Sequence, residues 1–240
     1  MKTIEAPRTY GEIVAINVDV QNDFALPTGA LSVNDGEAVI APLNATSDFV
    51  RDNGGFVIDT GDQHDPRTKH FNTNGGPWPV HCVKNRAGAA IHDGLEIKPH
   101  DSIAHKGLSL TDDGYSGFEA IIQDGRAKNL VADLPEVEQT VEVALMRIVE
   151  VNKDFNKRTA VLIGGLATDY CVKATVLDAL KTTSREWADI IVIEDAMRAV
   201  NIAYDDGDKA IAEMKANGAI FMQSYDIIEG SILVDRRGER

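Results

Sequence analysis

Residues 159–172 read TAVLIGGLATDYCV, and this stretch joins the two kinds of element that decide the fold. It begins as a nearly continuous apolar run that ends in two adjacent glycines, which is typical of a strand covered on both faces of a sheet. The glycines predict a turn, and residues 169–180 then carry apolar side chains at helical spacing. The stretch therefore predicts a strand that leads through a tight turn into a helix.

The same arrangement recurs along the chain. Other short apolar runs are typical of buried strands, and they lie at 13–19, 56–60, 190–194 and 219–222. Segments with helical periodicity separate the runs, and they lie at 36–51, 135–151, 169–180 and 205–217. Strands that alternate with helices imply crossover connections, so we expect an α/β fold: a three-layer α/β/α sandwich with a mostly parallel sheet.

Individual residues indicate where two of these helices begin. Asn34 or Asp35 is a candidate N-cap for the helix at 36–51, because short polar side chains accept hydrogen bonds from free N–H groups at a helix start. Pro135 suits the first position of the helix at 135–151, where no backbone donor is needed.

The chain has 240 residues, which fits one or two domains, and no repeat or linker divides it. We therefore expect a single domain over residues 1–240, with a core at about 11–224 and a C-terminal extension at about 225–240. The extension carries an apolar patch at 227–234, which predicts either an edge strand or a contact in a homo-oligomer.

The composition excludes several classes of protein. Apolar residues make up 43% of the chain, enough for a sizeable core, and 38 acidic against 24 basic residues give a net charge of -14. Such a surface repels nucleic acid and anionic membranes. The N-terminus lacks the apolar region of a signal peptide, and no apolar run approaches the ~20 residues that span a bilayer. We expect a cytoplasmic protein, and its two cysteines are too few for a disulfide scaffold.

A stretch at about 61–125 has weak periodicity and contains all six histidines of the chain. Asp62 directly follows the second predicted strand, and His64, His70 and His81 come soon after it. Ligands bind beyond the carboxyl ends of parallel strands, and carboxylate with imidazole suits zinc, iron or manganese. A single loop histidine is usually solvated, but three beside an acidic residue at a strand end favour a site for one divalent metal ion.

Three further positions carry reactive groups. Asp19 ends the first predicted strand, Lys106 lies in the motif HKG, and Cys171 follows the glycine-rich turn at the start of a helix. Free N–H groups and the helix dipole favour a thiolate at Cys171, as in a nucleophile elbow. Each residue also has an ordinary interpretation: a turn-capping aspartate, a solvated lysine and a buried apolar cysteine.

Six stretches, in one order, resemble the isochorismatase-like cysteine hydrolases and, within that superfamily, the nicotinamidase/pyrazinamidase family. The stretches are VDVQNDF (18–24), GDQH (61–64), PWPVHCV (77–83), HKG (105–107), YSGFE (115–119) and LATDYCV (166–172). The metal cluster distinguishes this family, because many other members of the superfamily lack it. The resemblance implies the isochorismatase-like hydrolase fold for the single domain.

The resemblance implies a catalytic triad of Asp19, Lys106 and Cys171. Cys171 would attack an amide carbonyl, Asp19 would carry the thiol proton to the leaving ammonia, and Lys106 would favour both anions. Backbone N–H groups of Ala167 and Cys171 would form the oxyanion hole. In this family the peptide before the hole residue is cis, which here is Leu166–Ala167.

The resemblance also implies a metal site and a substrate pocket. The implied metal ligands are Asp62, His64, His81 and, as in some members only, His70. In the family the metal holds the ring nitrogen of nicotinamide, which is a duty of orientation. The positions that line the pocket correspond to Phe24, Trp78 and Tyr115, for which ordinary core aromatics are the alternative.

The implied function is hydrolysis of nicotinamide to nicotinate and ammonia through a cysteine thioester, in NAD salvage, with activity on pyrazinamide also expected. An alternative within the superfamily is a cysteine amidase for another small amide, such as a ureido or carbamoyl compound. A third is a catalytically silent metal-binding or partner-binding protein, against which the presence of the whole triad argues. Cys82 is interpreted as structural, and His92 and His100 have no predicted role.

Overall fold

Over the described residues, 7–111 and 113–235, the computed structural model has nine strands. They are β1 (Arg8–Tyr10), β2 (Glu12–Val18), β3 (Phe56–Asp62), β4 (Ser102–Lys106), β5 (Ile121–Ile122), β6 (Thr159–Leu166), β7 (Ala188–Arg198), β8 (Ile220–Met222) and β9 (Ile232–Val234). Seven of them form one sheet in the order β5-β4-β3-β2-β6-β7-β8. Every neighbouring pair in it is parallel except β4 with β5, so the sheet is mostly parallel.

Helices cover both faces of this sheet. They are α1 (Asn22–Ala25), α2 (Ile40–Asp52), α3 (Gly125–Lys128), α4 (Val141–Asp154), α5 (Lys173–Thr182), α6 (Asp206–Ala216) and α7 (Ser224–Asp226). One core cluster joins Val14 and Ile16 of β2 to side chains of α4, α5 and α6. The other joins Ile13 and Ala15, on the opposite face of β2, to α2. The predicted three-layer α/β/α sandwich is therefore confirmed. In the described part of the chain, no helix combines the length and apolarity needed to span a bilayer.

Parallel pairing brings the carboxyl ends of β2, β3, β4 and β6 to the same edge of the sheet. The register of β2 with β6 aligns Val18 with Gly165, and the register of β3 with β4 aligns Asp62 with Lys106. Ligands of open α/β sheets bind beyond such strand ends. The segments that carry the predicted reactive residues therefore lie together at this edge of the sheet.

The helix predicted to begin at Pro135 begins later, at the start of α4. Pro135 instead precedes a separate 3-10 turn, Glu136–Glu138, whose Val137 is 75% exposed. The hydroxyl oxygen of Thr140 accepts a hydrogen bond from the N–H of Val143 at 3.3 Å. The prediction was wrong because this side-chain acceptor satisfies a free donor of the first turn, whereas proline only tolerates that position.

The helix predicted at 36–51 is divided in two. Gly36–Val39 forms a 3-10 turn, and α2 follows it. Neither candidate cap acts as one: Asp35 has a left-handed backbone with φ +52°, and its side chain makes no capping hydrogen bond to the described residues. The Nδ2 of Asn34 instead donates to the carboxylate of Asp35 at 3.4 Å.

Strands also occur in the histidine-containing stretch, where the apolar pattern did not locate them, and in the C-terminal extension. The stretch at 61–125 contains β4 and β5, and β4 reads SIAHK with alternating buried and half-exposed residues. In the C-terminal extension, β9 pairs in parallel with β1, in a two-stranded sheet apart from the main one. The extension thus holds a predicted strand, although it does not extend the edge of the large sheet.

Candidate active site

Cys171 lies in a sharp turn between β6 and α5. The peptide bond between Leu166 and Ala167 is cis, and Thr168–Val172 forms a single π-helical turn. The carbonyl of Ala167 accepts two backbone hydrogen bonds from that turn, each of 3.1 Å. Gly165 has φ +129°, and a Cβ there would collide with the backbone of β2, so glycine is required. The buried thiol therefore follows a strand end and precedes a helix, as the sequence predicted.

Lys106 brings the three predicted catalytic residues together. Its Nζ lies 2.8 Å from Oδ2 of Asp19 and 3.5 Å from Sγ of Cys171. Lys106 ends β4, Asp19 follows β2, and Cys171 lies in the turn after β6; these segments meet because the three strands run parallel. The hydroxyl of Thr60 donates to Oδ1 of Asp19 at 2.8 Å, which leaves the other oxygen on the side of the lysine.

Lys106 also holds a second carboxylate and a carbonyl. Its Nζ lies 2.7 Å from Oδ1 of Asp62 and donates to the carbonyl of Gly114 at 2.9 Å. An ammonium has three protons, and three oxygens lie closer to it than the sulfur of Cys171 does. The three oxygens therefore hold the lysine in place. Its effect on the thiol of Cys171 is mainly the electrostatic effect of a nearby positive charge.

Burial governs the protonation of the triad. Burial raises the pKa of the Asp19 carboxyl above its ordinary value, although Lys106 opposes the shift. Burial likewise raises the pKa of the Cys171 thiol well above its usual range, again against Lys106. Burial would lower the pKa of Lys106, but Asp19 and Asp62 together raise it. The site thus favours a neutral thiol beside a charged lysine, whereas the sequence suggested a thiolate.

His64, His70 and His81 form a buried cluster whose candidate ligand atoms all lie within 4.8 Å of one another. Each ring has its Nδ1 on a fixed acceptor. The acceptors are the carbonyl of Gly107 for His64 (3.0 Å), the carboxylate of Asp113 for His70 (2.7 Å) and the carbonyl of Pro79 for His81 (2.7 Å). With Nδ1 protonated toward its acceptor, Nε2 of each ring carries the free lone pair that a metal requires.

Asp62 connects this histidine cluster to the triad. Its Oδ2 lies 3.5 Å from Nε2 of His64, while its Oδ1 lies on Lys106. Nε2 of His64 is buried and has no hydrogen-bond partner among the described residues. Buried polar atoms are normally paired, so this nitrogen is a candidate ligand atom. Burial would raise the pKa of Asp62, but Lys106 and His64 lower it below its ordinary value. Burial also lowers the pKa of His81 to about 4. An ionised carboxylate with neutral imidazoles fits a divalent metal ion.

Similarity to known proteins assigns the chain to a family. The family model described as the Isochorismatase domain matches residues 14–132. The nicotinamidase of Escherichia coli (strain K12) is 33% identical over 217 residues, which are 84% of this chain and 90% of that protein. The chain belongs to the nicotinamidase family.

Solved structures agree with membership in the nicotinamidase family. PnC1 from L. infantum, in complex with nicotinate, superposes with a TM-score of 0.69 at 28% identity, covering 96% of this chain and 100% of that one. The pyrazinamidase of Pyrococcus horikoshii, in complex with zinc, superposes with a TM-score of 0.67 at 30% identity, covering 88% and 99%. The family that the six motifs predicted is therefore confirmed.

A cavity beside Cys171 and the histidine cluster opens to the surface of this nicotinamidase-family chain. Its lining residues are Phe24, Leu31, Asp62, His70, Trp78, His81, Asp113, Tyr115, Ala167, Tyr170, Cys171 and Val200. The three aromatic residues predicted to line a pocket are all among them. The indole N–H of Trp78 donates to the hydroxyl of Tyr115 at 2.8 Å, and the ring of Tyr170 lies 4.8 Å from that of Trp78. The cavity lining is thus partly aromatic, and Cys171, His70 and His81 also contribute to it.

Sequence reasoning missed several residues that build the site. Gln21 is buried; its amide oxygen accepts from the N–H of Asp62 at 2.7 Å, and its Nε2 donates to the carbonyls of Asp62 (2.9 Å) and Ala89 (2.8 Å). Asp113 and Tyr170 also line the cavity without having been predicted. The only available signal was position: Gln21 and Tyr170 lie inside family motifs, whereas Asp113 lies between two of them.

The remaining histidines and the second cysteine are not brought to the cavity. His92 lies 3.3 Å from a carboxylate oxygen of Glu37, and His105 precedes Lys106 on β4, where alternation turns it to the other face. Cys82 is buried, and its backbone N–H donates to Asp23 at 2.7 Å. Its interpretation as a structural residue agrees with this placement. His100 is also absent from the cavity lining.

Proposed function

We propose that this chain is a metal-containing nicotinamidase that hydrolyses nicotinamide to nicotinate and ammonia through a thioester on Cys171. One observation carries the proposal: Nζ of Lys106 lies 2.8 Å from Asp19 and 3.5 Å from Cys171, and Cys171 lines a cavity that also reaches His70 and His81. The nicotinamidase of E. coli and the nicotinate-bound PnC1 structure support the choice of substrate. We further propose activity on pyrazinamide, as the name of the P. horikoshii relative suggests.

In the first half of the proposed reaction, Sγ of Cys171 attacks the carboxamide carbon as its proton passes to Asp19. Burial raises the pKa of both groups, so it disfavours the carboxylate of Asp19 and the thiolate of Cys171 alike. The proton therefore moves between two groups whose anions are both destabilised by burial, and Lys106 lies beside each of them. The S–C bond forms, and the carbonyl oxygen becomes an oxyanion. We assign its stabilisation to the backbone N–H groups of Ala167 and Cys171, by about 3–4 kcal/mol each.

In the second half, Asp19 returns the proton to the amide nitrogen and ammonia leaves, which gives the thioester. Asp19, again a carboxylate, takes a proton from water, and the resulting hydroxide attacks the thioester carbon. The C–S bond breaks, the acid is released as nicotinate, and Asp19 restores the proton to Cys171. Lys106 stays charged throughout, because two carboxylates raise its pKa.

The proposed metal is one divalent ion, for which zinc, iron and manganese are the candidates. Asp62, His64 and His81 would hold it, with His70 as a further ligand, and the buried lone pair of His64 Nε2 supports this set. When bound, such an ion supplies a Lewis acid that orients the ring nitrogen of the substrate. The zinc-bound relative supports a divalent metal.

The aromatic residues that line the cavity support a flat aromatic substrate. Trp78, Tyr115 and Tyr170 contribute rings to the lining, and Phe24 lies with its ring 5.4 Å from that of His81. Burial raises the pKa of Tyr115 to about 12, so its phenol stays protonated. Apolar rings with a few convergent polar groups are typical of a small-molecule site.

We also propose that the chain is one domain that acts in the cytoplasm in NAD salvage.

The test is ammonia release by the purified metal-containing protein from nicotinamide, pyrazinamide and a carbamoyl amide. We expect turnover of the first two, loss of it in Cys171→Ala, and retention in Cys82→Ala, the matched variant of the other buried thiol. Turnover of nicotinamide by Cys171→Ala at the wild-type rate contradicts the thioester route. If the protein releases ammonia only from the carbamoyl amide, its substrate belongs to the alternative class and is not nicotinamide.

A further inference from the structure

The three histidines of the cluster differ in what holds their Nδ1 atoms. His64 and His81 donate to peptide carbonyls, those of Gly107 and Pro79. His70 faces a charged group: its Nδ1 lies 2.7 Å from Oδ1 of Asp113. A carboxylate and a peptide carbonyl both fix the tautomer of an imidazole, but the carboxylate also makes the opposite nitrogen a stronger donor to a metal.

We propose that Asp113 is a positioning residue that makes His70 a fourth protein ligand of the metal ion. The proposal rests on the proposed metal site and extends it to a residue outside the ligand set. Asp113 itself would not be a ligand of the ion. It acts through one hydrogen bond to Nδ1, which orients the His70 ring and fixes its tautomer.

The placement of His70 favours a ligand over an ordinary cavity-wall residue. The ring is buried, and its centroid lies 4.8 Å from that of His64 and 5.3 Å from that of His81. Its candidate ligand atom lies within 4.8 Å of those of His64 and His81. A third imidazole therefore lies beside the buried Nε2 of His64, for which the described residues provide no hydrogen-bond partner.

Asp113 is 44% exposed at its side chain, but its backbone is tied on both sides of the site. The next residue, Gly114, accepts a hydrogen bond from Nζ of Lys106 at 2.9 Å. Earlier in the same loop, the carbonyl of Leu110 accepts from the N–H of Lys69, next to His70, at 2.9 Å. The loop after β4 is thus fixed to the segment that carries His70, so the carboxylate is held where the histidine needs it.

The test is the zinc affinity of metal-stripped protein, measured by competition with a chromophoric chelator. We expect Asp113→Asn to bind zinc about 10–100-fold more weakly than the wild type, the range found for outer partners of metal-bound histidines. Asp113→Glu should recover part of the loss. Asp65→Asn is the matched control, because Asp65 is also a partly exposed carboxylate next to a histidine of the cluster in sequence, but its side chain pairs with Arg67. Its zinc affinity should stay within about twofold.

A double-mutant cycle separates this role from a general effect of charge. If Asp113 acts through His70, then Asp113→Asn should weaken zinc binding no further in a His70→Ala background. An equal loss in both backgrounds overturns the proposal, as does wild-type affinity in Asp113→Asn. The free energy of unfolding of each metal-free variant should equal that of the metal-free wild type. That result distinguishes an effect on the metal site from a general loss of structure.

The outcome is independent of the proposed reaction. Zinc binding is measured without substrate, so loss of affinity in Asp113→Asn supports the inference even if nicotinamide is not hydrolysed. Conversely, wild-type zinc affinity in Asp113→Asn together with normal nicotinamide turnover refutes the inference and leaves the proposed function standing. Substitution with Co²⁺ gives a second readout, since loss of a protein ligand changes the intensity of the visible bands.

Discussion

Oδ1 of Asp62 lies 2.7 Å from Nζ of Lys106, and the two residues are also paired in the register of β3 with β4. Aligned residues on neighbouring strands project from the same face of a sheet, so the contact is set by strand pairing rather than by a loop. Asp62 belongs to the candidate metal site and Lys106 to the candidate triad. The ion pair therefore couples the two, and a change at Lys106 reaches the metal site through a single carboxylate.

Lys106→Met removes the charge and keeps much of the side-chain volume. We expect it to destabilise the protein by about 3–5 kcal/mol at neutral pH, because two buried carboxylates, Asp19 and Asp62, lose their cation. The loss should shrink as the pH falls, since unpaired buried carboxyls have raised pKa values and protonate. Urea unfolding at several pH values measures it. Lys84→Met, at an exposed lysine, is the control; equal midpoints for the two variants contradict the prediction.

Asp19→Asn keeps the shape of the side chain and its bond from Thr60 but cannot accept the thiol proton. We expect kcat for nicotinamide to fall by about 10²–10⁴-fold, the usual contribution of general acid–base catalysis, with KM little changed. Steady-state ammonia release measures both constants. Asp59→Asn replaces another buried strand carboxyl outside the cavity and should retain kcat. A rise in KM alone would show that Asp19 binds substrate and does not transfer the proton.

The sheet and the identity of the candidate site residues were predictable because both depend on local patterns. β2, β3 and β6 contain apolar runs buried on both faces, and the reactive residues lie at or shortly after their ends. β4 was not predictable: SIAHK has few apolar residues, and it is a strand because it pairs with β3 and β5. The role of Gln21 was hidden for a similar reason, since its partners Asp62 and Ala89 lie far along the chain.

Removal of the metal ion should affect nicotinamide more than an amide that lacks the ring nitrogen. If the ion orients that nitrogen, chelation should lower the rate for nicotinamide toward that for benzamide and leave benzamide little changed. Ammonia release before and after dialysis against a chelator measures the ratio. Restored zinc, manganese or iron should restore the preference. Equal losses for both amides would instead assign the ion to the chemistry or the stability of the site.

Thr140→Ala should lower stability by about 1 kcal/mol, because the hydroxyl of Thr140 caps the first turn of α4. Thr140→Ser retains the acceptor and should lose much less. Thermal or urea unfolding of the two variants measures the difference, and kcat for nicotinamide should be the same in both, since α4 is remote from the cavity lining. If Ala and Ser variants unfold alike, the helix start is set by packing of its apolar face and not by the cap.

Asp59→Asn should remove a pH dependence of stability that the triad does not cause. Asp59 is buried in β3; its Oδ1 accepts from Asn17 at 2.8 Å, and its Oδ2 has no hydrogen-bond partner within the described residues. Burial raises its pKa from 3.8 to about 7. The folded state then binds the proton more tightly than the unfolded state, so stability is full below about pH 4 and falls as the pH rises to about 7. Asparagine is neutral throughout, so the free energy of unfolding of the variant should rise relative to that of the wild type over that window. The difference should reach about 2–4 kcal/mol at pH 8. Urea unfolding of both proteins from pH 4.5 to 8 measures the difference, and a difference that stays constant would show that Asp59 ionises normally in the folded protein.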